Sequence, residues 1–413
     1  MFSFPDTSFL RPVSHGDRLF AFPFNGTELV KLDLICEAGS AYQTFKLSAA
    51  ATAKLMTVAT RSMDSAALSE FFDFRGILVE SSSDILQNTT TFYYLRRYAD
   101  ELLPVIHDIV MYPAFNEEDF EVWRAQRKIK IMQSEQKTAD IARRMFYSAL
   151  FSEQHPLGRH ATPADADLLT LDAVKEFYSR RYIPLNTAIV VAGNIDDQLI
   201  SSLGSLLPAS SSATDNTVYN ALGPSSPYTP GKNVSHNPSA TQTSLRIGRI
   251  LPLSWDSMEY AQFMLLTTIL GGYFGSRLMS NLREEKGYTY GIYARTQIYR
   301  GVIVFYILAD VTAGKGDAAV EEIWRELERL RTELVTEAEL ELVKTVMAGD
   351  FLRSVDGIFE RSARFCDMYG TGVDERLTAN IRTAINETTP RQILSLAQQL
   401  LSPDSMVCCL AGA

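Results

Sequence analysis

The side chains best suited to metal or nucleophilic chemistry are few in this chain and poorly spaced for it. Its five histidines are His15, His107, His155, His160 and His236. Two imidazoles that share a metal on a helix need to lie one turn apart, at i and i+4, and no two of these do. His155 and His160 flank a turn, His107 falls within an amphipathic stretch, His15 lies near the N-terminus, and His236 sits in a Ser/Pro-rich stretch. The four cysteines, Cys36, Cys366, Cys408 and Cys409, form no CxxC pair. Alternation along a strand would send Cys408 and Cys409 to opposite faces. We read all four as reduced, mostly buried thiols of a cytoplasmic protein. No GxSxG-like segment or Cys–His signature marks a nucleophile.

The elements that would position any site follow from patterning. A chain of 413 residues is too long for one small core and suits two domains of about 200 residues. Residues 208–241 are rich in Ser, Pro, Gly and Asn without apolar periodicity, which is linker chemistry. We therefore expect domains at 1–210 and 241–413 around a linker at 211–240. In the first half, Thr27 to Cys36 alternates like a strand with one buried face. Helices are expected over 45–59 and 64–74, strands near 77–82 and 90–95, a helix carrying Leu102, Val105, Ile106 and Ile109, and a long charged helix over 117–136. The second half repeats the plan. It has a strand over 244–249, helices over 258–270 and 276–283, and strands over 288–295 and 302–308. Val320, Ile323, Trp324, Leu327 and Leu330 then mark one helical face, and Thr336 to Glu339 form a capping box. Strands followed by paired helices, twice, imply an α+β fold of two similar domains, each an antiparallel sheet covered on one face by helices.

The formal charge of −10 argues against nucleic acid or an anionic membrane as partner, since both call for clustered Lys and Arg. The N-terminal residues show no basic segment followed by an apolar one. No run of about 18 apolar residues predicts a membrane span.

Several segments, taken in order, resemble the insulinase/processing-peptidase (M16) family. Glu37-Ala38-Gly39-Ser40 is similar to its strand end, and Tyr112 to Phe120 to its "NPxFxEEEF" segment. His155-Pro156-Leu157-Gly158-Arg159 is similar to its "HPYGR" turn. Leu171 to Tyr178 with Tyr182 to Asn186, then Ala192 to Asp196, follow the family's next two segments. Leu270-Gly271-Gly272, Ser276-Arg277-Leu278 and Leu282 to Gly287 resemble its "LGGxxxSRLxxxLREExG". The likeness spans nearly the whole chain.

The resemblance implies a metal site that this chain lacks. Active members carry HxxEH on the first long helix, two His for zinc and a Glu as general base, with a further Glu ligand much later. Ala59-Thr60 stands where the family has Gly-Thr, which places Ala50, Ala53 and Lys54 at the His, Glu and His positions. The region of the distant ligand, Lys128 to Met132, holds no carboxylate, and Glu121 and Glu135 flank it. No His occurs between His15 and His107, so no shift of alignment restores the motif. What the resemblance leaves in place is Arg283 and Tyr290, seven residues apart, matching a pair that contacts the substrate carbonyl and its developing oxyanion. Tyr288 is a close alternative to Tyr290. Residue types alone equally allow a turn in which Arg283 makes a surface ion pair and Tyr290 packs inward. Residues 271–277 sit where some family subunits carry a long Gly-rich loop, and here read more simply as a helix stop and turn.

The expectation is a non-catalytic, substrate-binding subunit of a heterodimeric zinc endopeptidase acting on peptides, with no metal of its own. The zinc would reside in an HxxEH-bearing partner subunit, a second copy of this chain being the other possible partner. The alternative is a structural or peptide-binding homologue without peptidase activity.

Overall fold

The computed structural model describes residues 12–16, 18–182, 187–206, 222–224 and 226–412. The first half runs β1 (Val13–Ser14), β2 (Leu19–Pro23), β3 (Leu29–Cys36), α1 (Ser48–Leu55), α2 (Ser65–Arg75), β4 (Leu78–Ser83), β5 (Asn88–Leu95), α3 (Ala99–Met111), α4 (Glu117–Gln136), α5 (Thr138–Phe151), α6 (Pro163–Leu168), α7 (Leu171–Arg181), β6 (Thr187–Gly193) and α8 (Asp197–Leu206). The second runs β7 (Gly231–Ser235), β8 (Gln242–Leu251), α9 (Met258–Gly271), β9 (Thr289–Tyr299), β10 (Val302–Thr312), α10 (Gly316–Thr332), α11 (Glu337–Arg353), α12 (Ile358–Thr371), α13 (Glu375–Glu387), α14 (Pro390–Leu400) and β11 (Val407–Ala411). Strand order is β1-β2-β6-β3-β5-β4 in one sheet and β7-β11-β8-β10-β9 in the other.

Two helix-covered sheets are what the patterning led us to expect, and the structure has them. Three details differ. The sheets are mixed, because β2–β6 and β7–β11 pair in parallel. Residues 231–235, inside the stretch read as linker, form the edge strand β7. Four of its five residues are exposed, so it carries no burial alternation to read. Residues 211–221 and 225 of that stretch, and 183–186 of the Tyr182–Asn186 segment, lie outside the described residues.

The third difference is the most consequential: helices cover both faces of each sheet. On β3, Val30, Leu32 and Leu34 join the core beneath α3 and α8. The other face of this sheet, with Ile35, Val190 and Ala192, packs on Phe365 and Cys366 of α12, a helix of the second half. In return α5 of the first half lays Phe146 and Leu150 on Val304, Val407 and Cys409 of the second sheet. Cys408 faces the opposite core, as alternation requires. Each half thus completes the burial of the other. Full burial of each large apolar side chain is worth about 1.5–3 kcal/mol. Polar ties cross the same boundary. Arg300 pairs with Glu37 at 3.0 Å, the hydroxyls of Tyr147 and Tyr299 lie 2.9 Å apart, and Ser244 bonds Thr138 at 2.8 Å.

β3 therefore has no solvent face, contrary to the one buried face expected, and its polar residues are buried. Lys31 and Asp33 form an ion pair at 2.6 Å with side chains 7% and 3% exposed. Asp33 also accepts the Thr91 hydroxyl at 2.7 Å and the Cys366 thiol at 3.5 Å. Burial pushes the Lys31 ammonium toward losing its proton, but the charge and hydrogen bond of Asp33 outweigh it, and its pKa is raised. All four cysteines are free and buried, and burial lifts the Cys36 thiol to about 12.

Candidate functional site

α1 carries the positions where the resemblance would place a metal. It is short and Ala-rich because it is wedged among α7, α4, β4 and β5. Ala49, Ala51 and Ala53 are buried, and the Thr52 hydroxyl donates to the Val174 carbonyl at 3.3 Å. Only Ala50 and Lys54, one turn apart, look outward. These residues do not fit zinc. Ala50 and Ala53 have no donor atom, and Lys54 presents an ammonium, which has no lone pair to give. Among the described residues no group of three or more His, Cys, Asp or Glu is arranged to hold a metal ion. Of the other histidines, His107 lies 3.7 Å from Asp108, and His155 stacks on Phe151 and accepts the Leu157 N–H at 3.1 Å.

The turn motifs around α1 have mechanical roles. Gly39 brings the end of β3 so close to the 85–87 segment that a Cβ there would strike the Ile85 carbonyl and the Gln87 nitrogen. The Arg159 guanidinium of the His-Pro-Leu-Gly-Arg turn donates to the carbonyls of Ser40 and Ala41, locking the two turns together. Between them lies a cavity of about 180 Å³, lined among others by Lys46, Ala50, Ser83, Arg127, Arg159 and His160. Sequence reading missed it as a site. Arg127 stood within a helix that read as a solvated charged face, and Lys46 had no motif around it.

Arg283 and Tyr290 are positioned differently. Residues 276–283 were expected to form a short helix. A short helix is there, and from Met279 to Glu285 it is π-helical, with the Lys286 N–H reaching back to the Asn281 carbonyl at 3.0 Å. Buried Asn281 anchors the turn, donating to Glu322 at 3.2 Å and Glu326 at 2.8 Å on α10. Arg283 lies 4.6 Å over the ring of Phe274, itself 59% exposed, and makes no ion pair among the described residues. Tyr290 stands on the edge strand β9 and is 91% exposed. Tyr288 precedes the strand, packs against the core and lies under the Lys315 ammonium at 5.4 Å. The bland arrangement, an ion-paired Arg283 with Tyr290 packed inward, is not what this surface shows. The π-turn packs on β9 and α10, and α1 packs within the first half, so the two sets of residues are held by different halves.

Glycine at 271, the last residue of α9, has a steric basis. A Cβ on Gly271 would lie 2.5 Å from the Ala294 nitrogen of β9. The capping box at α11 is only half formed. The Thr336 side chain accepts the Glu339 N–H, but the Glu339 carboxylate turns to Arg277 in a two-pronged pair at 2.8 Å. Among the described residues no helix is long and apolar enough to cross a membrane.

Comparison with known proteins agrees with this architecture. Residues 168–347 match the family described as "Peptidase M16 inactive domain". The chain is 27% identical over 329 residues to an uncharacterized zinc protease of Mycobacterium leprae, covering 76% of this chain and 71% of that one. It is 23% identical over 325 residues to an uncharacterized zinc protease of Bacillus subtilis, covering 76% of each. Among solved structures, a peptidase M16 inactive domain from Pseudomonas fluorescens superposes with a TM-score of 0.82 at 21% identity, covering 96% of both chains. A protease from Helicobacter pylori does so with a TM-score of 0.82 at 18% identity, again over 96% of both. By sequence match over residues 168–347 and by fold over nearly its whole length, the chain is similar to the M16 peptidases, and it lacks the HxxEH motif.

Proposed function

We propose that this chain is the non-catalytic, substrate-binding subunit of a heterodimeric M16-type zinc endopeptidase acting on peptides. The observation that carries the reading is the contrast between its two halves. The first half offers Ala50, Ala53 and Lys54 where metal ligands and base would stand. The second holds Arg283 on a braced π-turn without a carboxylate partner among the described residues, and Tyr290 with its phenol in solvent. A guanidinium with no carboxylate partner and a phenol with no hydrogen-bond partner among the described residues suit a carbonyl and a developing oxyanion supplied from elsewhere. The zinc and the general base would come from an HxxEH-bearing partner. The four free buried thiols support placing the pair in the cytoplasm.

The test is to isolate the chain from its native cells with whatever co-purifies, then assay peptide cleavage by each component and by the mixture. Activity confined to the mixture, lost in Arg283→Ala with assembly intact, is the expected result. Full activity of that variant would remove Arg283 from the site.

A second reading, peptide binding without cleavage, has its own support. β4 is the outer strand of its sheet, lies against α1 and pairs on one side only, with β5. An open strand edge can take an extended peptide as an added strand. Saturable peptide binding with no cleavage in any mixture would select this reading.

A further inference from the structure

The cavity beside α1 has a chemistry of its own. Its wall carries two guanidinium groups, Arg127 and Arg159, the Lys46 ammonium and the His160 imidazole, with the Gln43 amide and the Ser83 hydroxyl, and no carboxylate. Three acids lie close outside the wall: Asp165 holds Lys46 at 3.1 Å and caps α6, Glu135 lies 3.8 Å from Arg144, and the charge of Glu153 acts on His160. Arg127 forms no ion pair among the described residues. Its Nε is buried without a hydrogen-bond partner there, and so is Nδ1 of His160. Buried polar nitrogens are usually satisfied, and a half-buried cation with no counterion is costly. Ala50 lines the same space, so the small side chain at the former metal position keeps it open. At about 180 Å³ it has room for a few heavy atoms with their waters.

We propose that this cavity is an oxyanion-binding site, taking a carboxylate or phosphate group between Arg127, Lys46 and His160. A planar guanidinium with an imidazole beside it matches two oxygens of one such group. In place of a cation held by histidines and a carboxylate, the pocket would hold an anion held by cations. The site stands without the partner-subunit reading. Only one of its two ligand sources, the C-terminal carboxylate of a bound peptide, draws on that reading, and a free inorganic anion is the other.

The test titrates the full chain with sodium phosphate, and with tri-alanine as free acid and as C-terminal amide, at constant ionic strength, by calorimetry and thermal shift. We expect saturable binding of at least one oxyanion, weakened at least tenfold in Arg127→Met. Ala50→Glu, which places a carboxylate in the cavity from an outward-facing position, should abolish it even where Arg127→Met folds poorly. Binding of the acid but not the amide identifies the peptide terminus, and binding of phosphate alone identifies a small inorganic ligand. No saturable binding of any oxyanion, or equal binding by wild type and both variants, overturns the site. Peptidase activity is not read in this assay, so failure of the partner reading would register separately.

Discussion

Replacing Asp33 by Ala tests whether the second half truly covers the first half's sheet. Asp33 neutralises Lys31 at 2.6 Å where neither side chain reaches solvent appreciably, and its other oxygen accepts the Thr91 hydroxyl at 2.7 Å. Breaking a buried pair from one side leaves an uncompensated charge and costs about 3–5 kcal/mol. The orphaned hydroxyl adds roughly 1 kcal/mol. Against a typical total of about 5–15 kcal/mol, that is a large share. Removing both charges, as Lys31→Met with Asp33→Leu, should return the protein to within about 1–2 kcal/mol of wild type. Urea unfolding followed by far-UV circular dichroism and by fluorescence of Trp123, Trp255 and Trp324 measures both, with tryptophans in each half. The pair also sets a pH window. The Lys31 pKa is raised on folding, so its contribution is complete below the ordinary value near 10.5 and fades as pH rises through the higher folded value. An Asp33→Ala protein within 1 kcal/mol of wild type, or a double variant as unstable as the single, would refute the reasoning.

Three other outcomes are expected. In an assembled, active mixture, Tyr290→Phe should slow peptide cleavage by about 10-fold or more if its phenol reaches the oxyanion, whereas Tyr288→Phe should leave the rate nearly unchanged; steady-state kinetics of the two variants decide between them. Gly271→Ala forces a methyl group onto the backbone of β9 and should destabilise the chain by about 1–3 kcal/mol in thermal unfolding. His155 and His160 both titrate below the ordinary histidine value, first because burial disfavours the cation, and for each because an arginine (Arg159, Arg144) adds repulsion. Their folded pKa values lie below the unfolded ones, so stability is complete above about 6.5 and falls as pH drops toward the folded values. A melting temperature flat from pH 7.5 to 5 in the double His→Gln variant but falling in wild type would show it, and identical profiles would exclude it.

Much of this protein was determined by local pattern. An uninterrupted charged run and an apolar run ended by Gly271-Gly272 placed α4 and α9 almost to the residue, and Asp64 and Gly76 bounded α2 as a side-chain cap and a left-handed stop. The absence of the HxxEH motif was legible outright, because a motif of residue types on one helix needs no tertiary information to be absent. The edge strand β7 was not legible, since an exposed strand buries nothing in alternation. Neither was the burial of Lys31 and Asp33, nor the cationic cavity. Lys46, Arg127 and His160 lie far apart in the chain and share no motif. They share a wall only because the turn at Arg159 is tied to the end of β3 and α4 runs beside α1. Periodicity reports which face of an element is apolar. It carries no information on which distant element will arrive to cover the other face, and in this chain that was decided by the exchange of α5 and α12 between the halves.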